Sequence, residues 1–266
     1  MKRSRNGTAY ELSGRKDLPI VTLIHGLGVK RELWHDHVEV LSRCCRVLTY
    51  DLYGHGQSTK PPDALSLAVF SQQLRELLDE LDIEHSVIAG FSLGGMINRR
   101  FAMDYPSRVS ALIVLNSPHE RKPDEQKLVE QRVSQTAQGG PEATIETSLE
   151  RWFTKEFRSS RVDVVSEIRT WVLANDPVIY TQCRQVLARG VLELIDPEPP
   201  ITAPTLVMTC ENDSGSTPEM ARAIAAEIPG AQTVIVPQLQ HLGLTEKPVL
   251  FLEPMLRFLD TIPGLA

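Results

Sequence analysis

A chain of 266 residues is long enough to bury a sizeable core, and 42% hydrophobic with 23% charged residues excludes the disordered, collagen-like and disulfide-dense classes. Its 34 acidic residues outnumber 28 basic ones for a formal net charge of −6, a balance that argues against nucleic acid and for a small-molecule partner. Cys44, Cys45, Cys183 and Cys210 form no CxxC pair and have no histidine at ligand spacing, so reduced, buried thiols are expected, with no metal and no cofactor.

In chain order, the basic Lys2, Arg3 and Arg5 are not followed by an apolar run of signal-peptide length, and no stretch reaches 18 apolar residues. The expectation is a cytoplasmic protein that does not enter a membrane, as a monomer or homodimer. Residues 7–14 are a candidate edge strand. Short β-branched runs then recur at "IVTLIHG" (20–26), "RVLTYD" (46–51), "SVIAGFS" (86–92), "ALIVLNS" (111–117), "PTLVMTC" (204–210) and "TVIVPQ" (233–238). Near-continuous hydrophobicity of this kind belongs to strands buried on both faces. Helix-period segments at 31–43, 66–81, 94–104, 217–228 and 246–260 separate them, so strand and helix alternate and predict a parallel sheet covered on both sides. The alternation breaks over 118–200, where charged and aromatic-bearing helical sequence ends in the turn-rich "DPEPPITAP". The expected organisation is a core of residues 1–117 and 201–266 with a helical cap at 118–200.

"GFSLGG" lies between a strand and a helix and fits GxSxG around Ser92. Residues two positions either side of such a serine must be small, because neighbouring backbones approach there, and the hydroxyl projects beside a helix N-terminus. A serine needs a base, and the base needs an acid, in the chain order Ser, acid, His. Only His119 and His241 follow Ser92. His119 opens the insertion and reads as a solvated loop residue, whereas His241 follows the strand at 233–238. "CENDSGSTPEMA" supplies Asp213, with Glu211 as the fallback, just before a helix that Ser216 or Thr217 would cap. Asn116 follows the preceding strand but is not an acid. In "HGLG" (25–28) the Leu27 amide is positioned to pair with that of Leu93 as an oxyanion hole, and His25 reads as a loop brace.

"HGLG", "DLYGHGQS", "GFSLGG", "ENDSGSTP" and "QHLGLTEKP", in that order, resemble the α/β-hydrolase superfamily over nearly the whole chain. The resemblance implies the α/β-hydrolase fold: a mostly parallel eight-stranded sheet flanked by helices, with a helical cap inserted after the sixth strand. It also implies no metal and a triad of Ser92, Asp213 and His241. "LERWFTKEFRSSRVDVVSEIRTWVL" is similar to the cap of the 3-oxoadipate enol-lactonases. Those enzymes often carry arginine where this chain has Tyr53, so Arg151 or another cap residue would have to meet an anionic substrate. Trp152 and Tyr53 are candidate pocket walls, and Phe91 reads as packing.

The function expected is hydrolysis of an ester or lactone of a small molecule through an acyl-enzyme, in aromatic or related catabolism. The alternatives are C–C bond hydrolysis of a meta-cleavage-type diketone, and a lyase or ligand-binding receptor on the same scaffold. Serine in place of aspartate at 92 argues against the alkyl-enzyme chemistry of dehalogenases and epoxide hydrolases.

Overall fold

The computed structural model describes residues 1–263. Eight strands form one sheet: β1 (Lys2–Arg3), β2 (Ala9–Ser13), β3 (Ile20–Ile24), β4 (Arg46–Tyr50), β5 (Ser86–Phe91), β6 (Val109–Leu115), β7 (Thr205–Cys210) and β8 (Gln232–Val236). Their spatial order is β1-β2-β4-β3-β5-β6-β7-β8, and all neighbours are parallel except β1 with β2 and β2 with β4. Every residue of β5 and of β7 is buried, which is why those strands are apolar at consecutive positions rather than at alternate ones. The exposed residues lie toward the two edges, in β1, at Glu11 of β2 and at the start of β8. The candidate edge strand at 7–14 is β2; β1 is too short to carry a periodic signal.

The core helices are α1 (His35–Leu41), α2 (Leu67–Glu80) and α3 (Leu93–Asp104). Between β6 and β7 the chain leaves the sheet through α4 (Pro123–Gly139), α5 (Ile145–Trp152), α6 (Lys155–Ser160), α7 (Val162–Leu173) and α8 (Pro177–Arg189). It then completes the core with α9 (Pro218–Ala226), α10 (Gly243–Glu246) and α11 (Val249–Leu259). Helix α2 packs on α3, and α1 on α11. Helix starts follow side-chain caps: Ser66 accepts from the Val69 amide, Asp176 from Val178 and Ile179, and Thr217 from Met220. Buried residues of the insertion, including Leu149, Trp152 and Phe153, are continuous with the sheet's apolar core. Among the described residues, no helix is long and apolar enough to cross a membrane.

The sheet order reverses at β3, which pairs with both β4 and β5. Crevices outside the carboxyl ends of strands open at such a switch point. Register aligns those ends: Ile24 faces Gly90, Phe91 faces Leu115, and Cys210 faces Val236. The loops after β3, β5, β6, β7 and β8 therefore leave the sheet along one edge.

Candidate active site

Ser92 sits between β5 and α3 with φ of 55° and ψ of −112°, a left-handed conformation that is strained for a residue with a Cβ. Its neighbours explain how the turn fits. A Cβ on Gly90 would come within 2.1 Å of the Gly94 carbonyl oxygen, and one on Gly94 within 2.3 Å of the Ile24 oxygen. Each contact falls well inside van der Waals distance, so both positions require glycine.

His241, in the loop after β8, has its Nε2 3.0 Å from the Ser92 Oγ. Its Nδ1 donates to Asp213 Oδ2 at 2.6 Å, which leaves Nε2 free to accept the serine proton. Asp213, after β7, is 3% exposed and saturated with donors. Asn116 Nδ2 gives a second bond to Oδ2 at 2.9 Å, and the Gly215 and Ser216 amides donate to Oδ1 at 2.9 and 3.0 Å. Burial pushes the Asp213 carboxyl up. The His241 charge and hydrogen bond, with the Asn116 and Gly215 donors, outweigh it and hold the group below the ordinary carboxylate range. Three residues from three separate loops are thus in one hydrogen-bonded chain.

Glu211 points elsewhere, accepting from the Gln238 amide at 2.9 Å. His119 is also elsewhere, with its Nε2 2.9 Å from Glu227 Oε1. Asn116 was set aside in the sequence because it is not an acid, yet it binds the acid. Its position one residue beyond β6, with φ of 45°, is the only signal that marks it.

The "HGLG" loop is held by two buried histidines. The Nδ1 of His25 donates to the Gly26 oxygen at 2.8 Å, while its Nε2 accepts from the Leu52 amide at 2.9 Å. His55 repeats the arrangement, bonding the Tyr53 oxygen and accepting from the Gly28 amide at 3.1 Å. Burial lowers the pKa of both rings, that of His55 to about 3, so both act as neutral braces. Leu27 lines the same cavity as Ser92 and His241. Among the described residues, neither the Leu27 nor the Leu93 amide is committed to a backbone acceptor outside the regular elements.

That cavity, about 80 Å³, opens between sheet edge and insertion. Phe91 and Trp152 flank the histidine, with ring centroids 4.9 and 6.5 Å from that of His241. Trp152 therefore lines the cavity as the sequence suggests, and Phe91 both packs and lines it. Tyr53 does not line it. The residue is 4% exposed and belongs to the apolar core, and its amide donates to Gln73 Oε1 at 3.0 Å. It follows a strand at the correct sheet edge, but its side chain turns into the core beside α2. Arg151 lines the cavity, and so do Arg121, Arg132 and Arg184, which the sequence reading did not single out.

A parallel sheet with a strained serine at the switch point, joined to a histidine and an aspartate from later loops, defines a hydrolase of the α/β class. A family model described as "alpha/beta hydrolase fold" matches residues 19–248, and the chain belongs to that family. The (E)-2-((N-methylformamido)methylene)succinate hydrolase of Acinetobacter baylyi is 29% identical over 264 residues, covering 99% of this chain and 98% of that protein. The 3-oxoadipate enol-lactonase 2 of the same organism is 24% identical over 91% of this chain and 89% of its own length. The crystal structure of the enol-lactonase from Burkholderia xenovorans LB400 superposes with a TM-score of 0.86 at 25% identity, covering 95% of this chain and 96% of that one.

Proposed function

We propose that this α/β-hydrolase cleaves an ester or lactone bond of a small molecule through an acyl-enzyme on Ser92. The observation that carries the reading is the unbroken path from Ser92 Oγ through the His241 ring to the Asp213 carboxylate, at 3.0 and 2.6 Å. Ser92 Oγ attacks the carbonyl carbon while its proton passes to His241 Nε2. The oxyanion that forms accepts from the Leu27 and Leu93 amides; one such donor is worth roughly 2.7–4 kcal/mol of barrier. Collapse breaks the carbon–oxygen bond, and the leaving oxygen takes the proton from His241. Water then gives a proton to His241 and attacks the acyl carbon, and the serine oxygen recovers that proton as the acid departs. Asp213 stays ionised throughout, holding the imidazole tautomer and stabilising the imidazolium.

Residues 118–200 act in this reading as a cap, closing the cavity over the serine with Trp152 as one wall. The lactonase relatives support the bond type by their names, and the similarity of the succinate-derivative hydrolase runs through the insertion, since it covers 99% of the chain.

The test is covalent labelling combined with turnover. A fluorophosphonate probe should add one adduct, mapped by peptide mass to Ser92, and p-nitrophenyl acetate should be hydrolysed. Ser92→Ala should lose the adduct and at least about 10³-fold in kcat/KM. A Ser92→Ala protein that keeps its rate would overturn the nucleophile assignment.

A further inference from the structure

Four guanidinium groups face one cavity in a chain whose acidic residues outnumber its basic ones, 34 to 28. Arg121 follows β6, Arg132 lies on α4, Arg151 on α5 and Arg184 on α8, so every part of this wall belongs to the insertion. Among the described residues none of the four is ion-paired, whereas Arg31, Arg100 and Arg169 each hold a carboxylate. What anchors them is neutral. Arg121 donates to the Leu187 and Ala188 carbonyls, and Arg184 to the Tyr180 hydroxyl at 2.8 Å and to Thr144 Oγ1 at 3.3 Å. The Nε atoms of Arg151 and Arg184 are buried without a hydrogen-bond partner.

Such a cluster is costly, because burial strips water from each cation while the like charges repel. Both effects register on Arg151, whose pKa is brought down to about 10 by burial and then by Arg132 and Arg184. Arg121 is lowered to about 10 chiefly by burial, with Arg132 adding and Glu125 opposing. Among the described residues the carboxylate that acts on Arg151 is that of Asp213, and it is already shared by His241, Asn116 and two amides. Among the described residues no carboxylate forms an ion pair with the wall, and a ligand's negative charge would supply one.

We infer that the substrate carries two carboxylates, bound by the Arg121, Arg132, Arg151 and Arg184 wall while its ester or lactone carbonyl lies over Ser92; this rests on the hydrolase reading above. Guanidinium forks bind carboxylates in pairs of parallel hydrogen bonds, and one carboxylate engages at most about two of them. A single carboxylate would leave two cations facing each other. The rest of the lining, with Leu27, Val29, Phe91 and Trp152, suits a short carbon skeleton between the charges.

The test compares p-nitrophenyl monoesters of six-carbon acids carrying no, one and two free carboxylates: hexanoate, adipate and tricarballylate. Each carboxylate should raise kcat/KM by about tenfold or more, the usual return for hydrogen bonds between charged partners. The ratio of dianionic to neutral kcat/KM should drop by at least about tenfold in Arg132→Gln and in Arg151→Gln, with Arg151→Lys intermediate. If an arginine variant fails to fold, the wild-type series still decides: equal kcat/KM for the three esters overturns the inference. Calorimetry on the Ser92→Ala protein with glutarate, butyrate and inorganic phosphate separates the two readings. Glutarate binding without any ester hydrolysis by wild type retains the dianion site and refutes the hydrolase reading. Serine-dependent hydrolysis with no gain from carboxylates does the reverse. Phosphate binding tighter than glutarate overturns the dicarboxylate assignment.

Discussion

Asp213 accepts four hydrogen bonds, and only one comes from the histidine it serves. The other three fix which way the carboxylate faces, so the geometry at His241 is inherited from Asn116 and the Gly215–Ser216 turn. Asparagine at 213 would meet donors on both sides while carrying one donor group itself. Its NH2 would face either the turn amides or the imidazole, and in the second case would favour the wrong ring tautomer. Asp213→Asn should therefore lower kcat/KM for p-nitrophenyl esters by about 10⁴-fold at neutral pH. Glu211→Gln, two residues away, should stay within about twofold of wild type, because its carboxylate serves an exposed turn amide. Equal losses in the two variants would show that the acid had been assigned to the wrong residue.

At the scale of elements, the turn from β5 into α3 is the tightest packing in the site. A methyl on Gly90 has no flexible side chain to displace, since the atoms it meets are the Gly94 carbonyl and the Gly95 nitrogen. Gly90→Ala should destabilise the protein by roughly 1–3 kcal/mol, read as a lower urea midpoint at unchanged slope. An unchanged midpoint would mean that the turn is looser than these distances. This element was legible in the sequence because its constraint is local: the glycines, the serine and the apolar strand before them are contiguous. The same holds for β3 to β7, whose burial on both faces leaves continuous apolar runs. The arginine wall was not legible. Arg132 lies in "DEQKLVEQRV", which reads as a solvated helical face, and Arg121 and Arg184 become neighbours of Arg132 only through the packing of α4 against α8. Tyr53 erred the other way, since chain position locates the backbone at the sheet edge and says nothing of which way the ring turns. Asn116 was hidden for a related reason: its role depends on Asp213, 97 residues later.

For the whole molecule, buried neutral histidines set how stability responds to acid. His37, at the start of α1, is 1% exposed, packs edge-on against Trp34 at 5.3 Å and has no hydrogen-bond partner at either nitrogen. Burial lowers its pKa to about 4, whereas in the unfolded chain the ring titrates near ~6.5. Between those values the unfolded chain binds the proton and the folded one does not, so stability falls as pH falls from about 6.5 to about 4 and levels off below. The gap is worth on the order of 3 kcal/mol for His37 alone. His25 and His55 act in the same direction, while Asp213, lowered in the fold, withdraws its contribution only at pH below the ordinary carboxylate range. Urea midpoints measured from pH 7.5 to 4.5 should therefore decline steadily for wild type and less steeply for His37→Phe, which keeps an aromatic ring beside Trp34 and removes the titration. The two curves should converge or cross toward the acid end, because the variant escapes the proton uptake that favours the unfolded wild type. Parallel curves across that range would mean that His37 titrates alike in both states and is not held neutral by the fold.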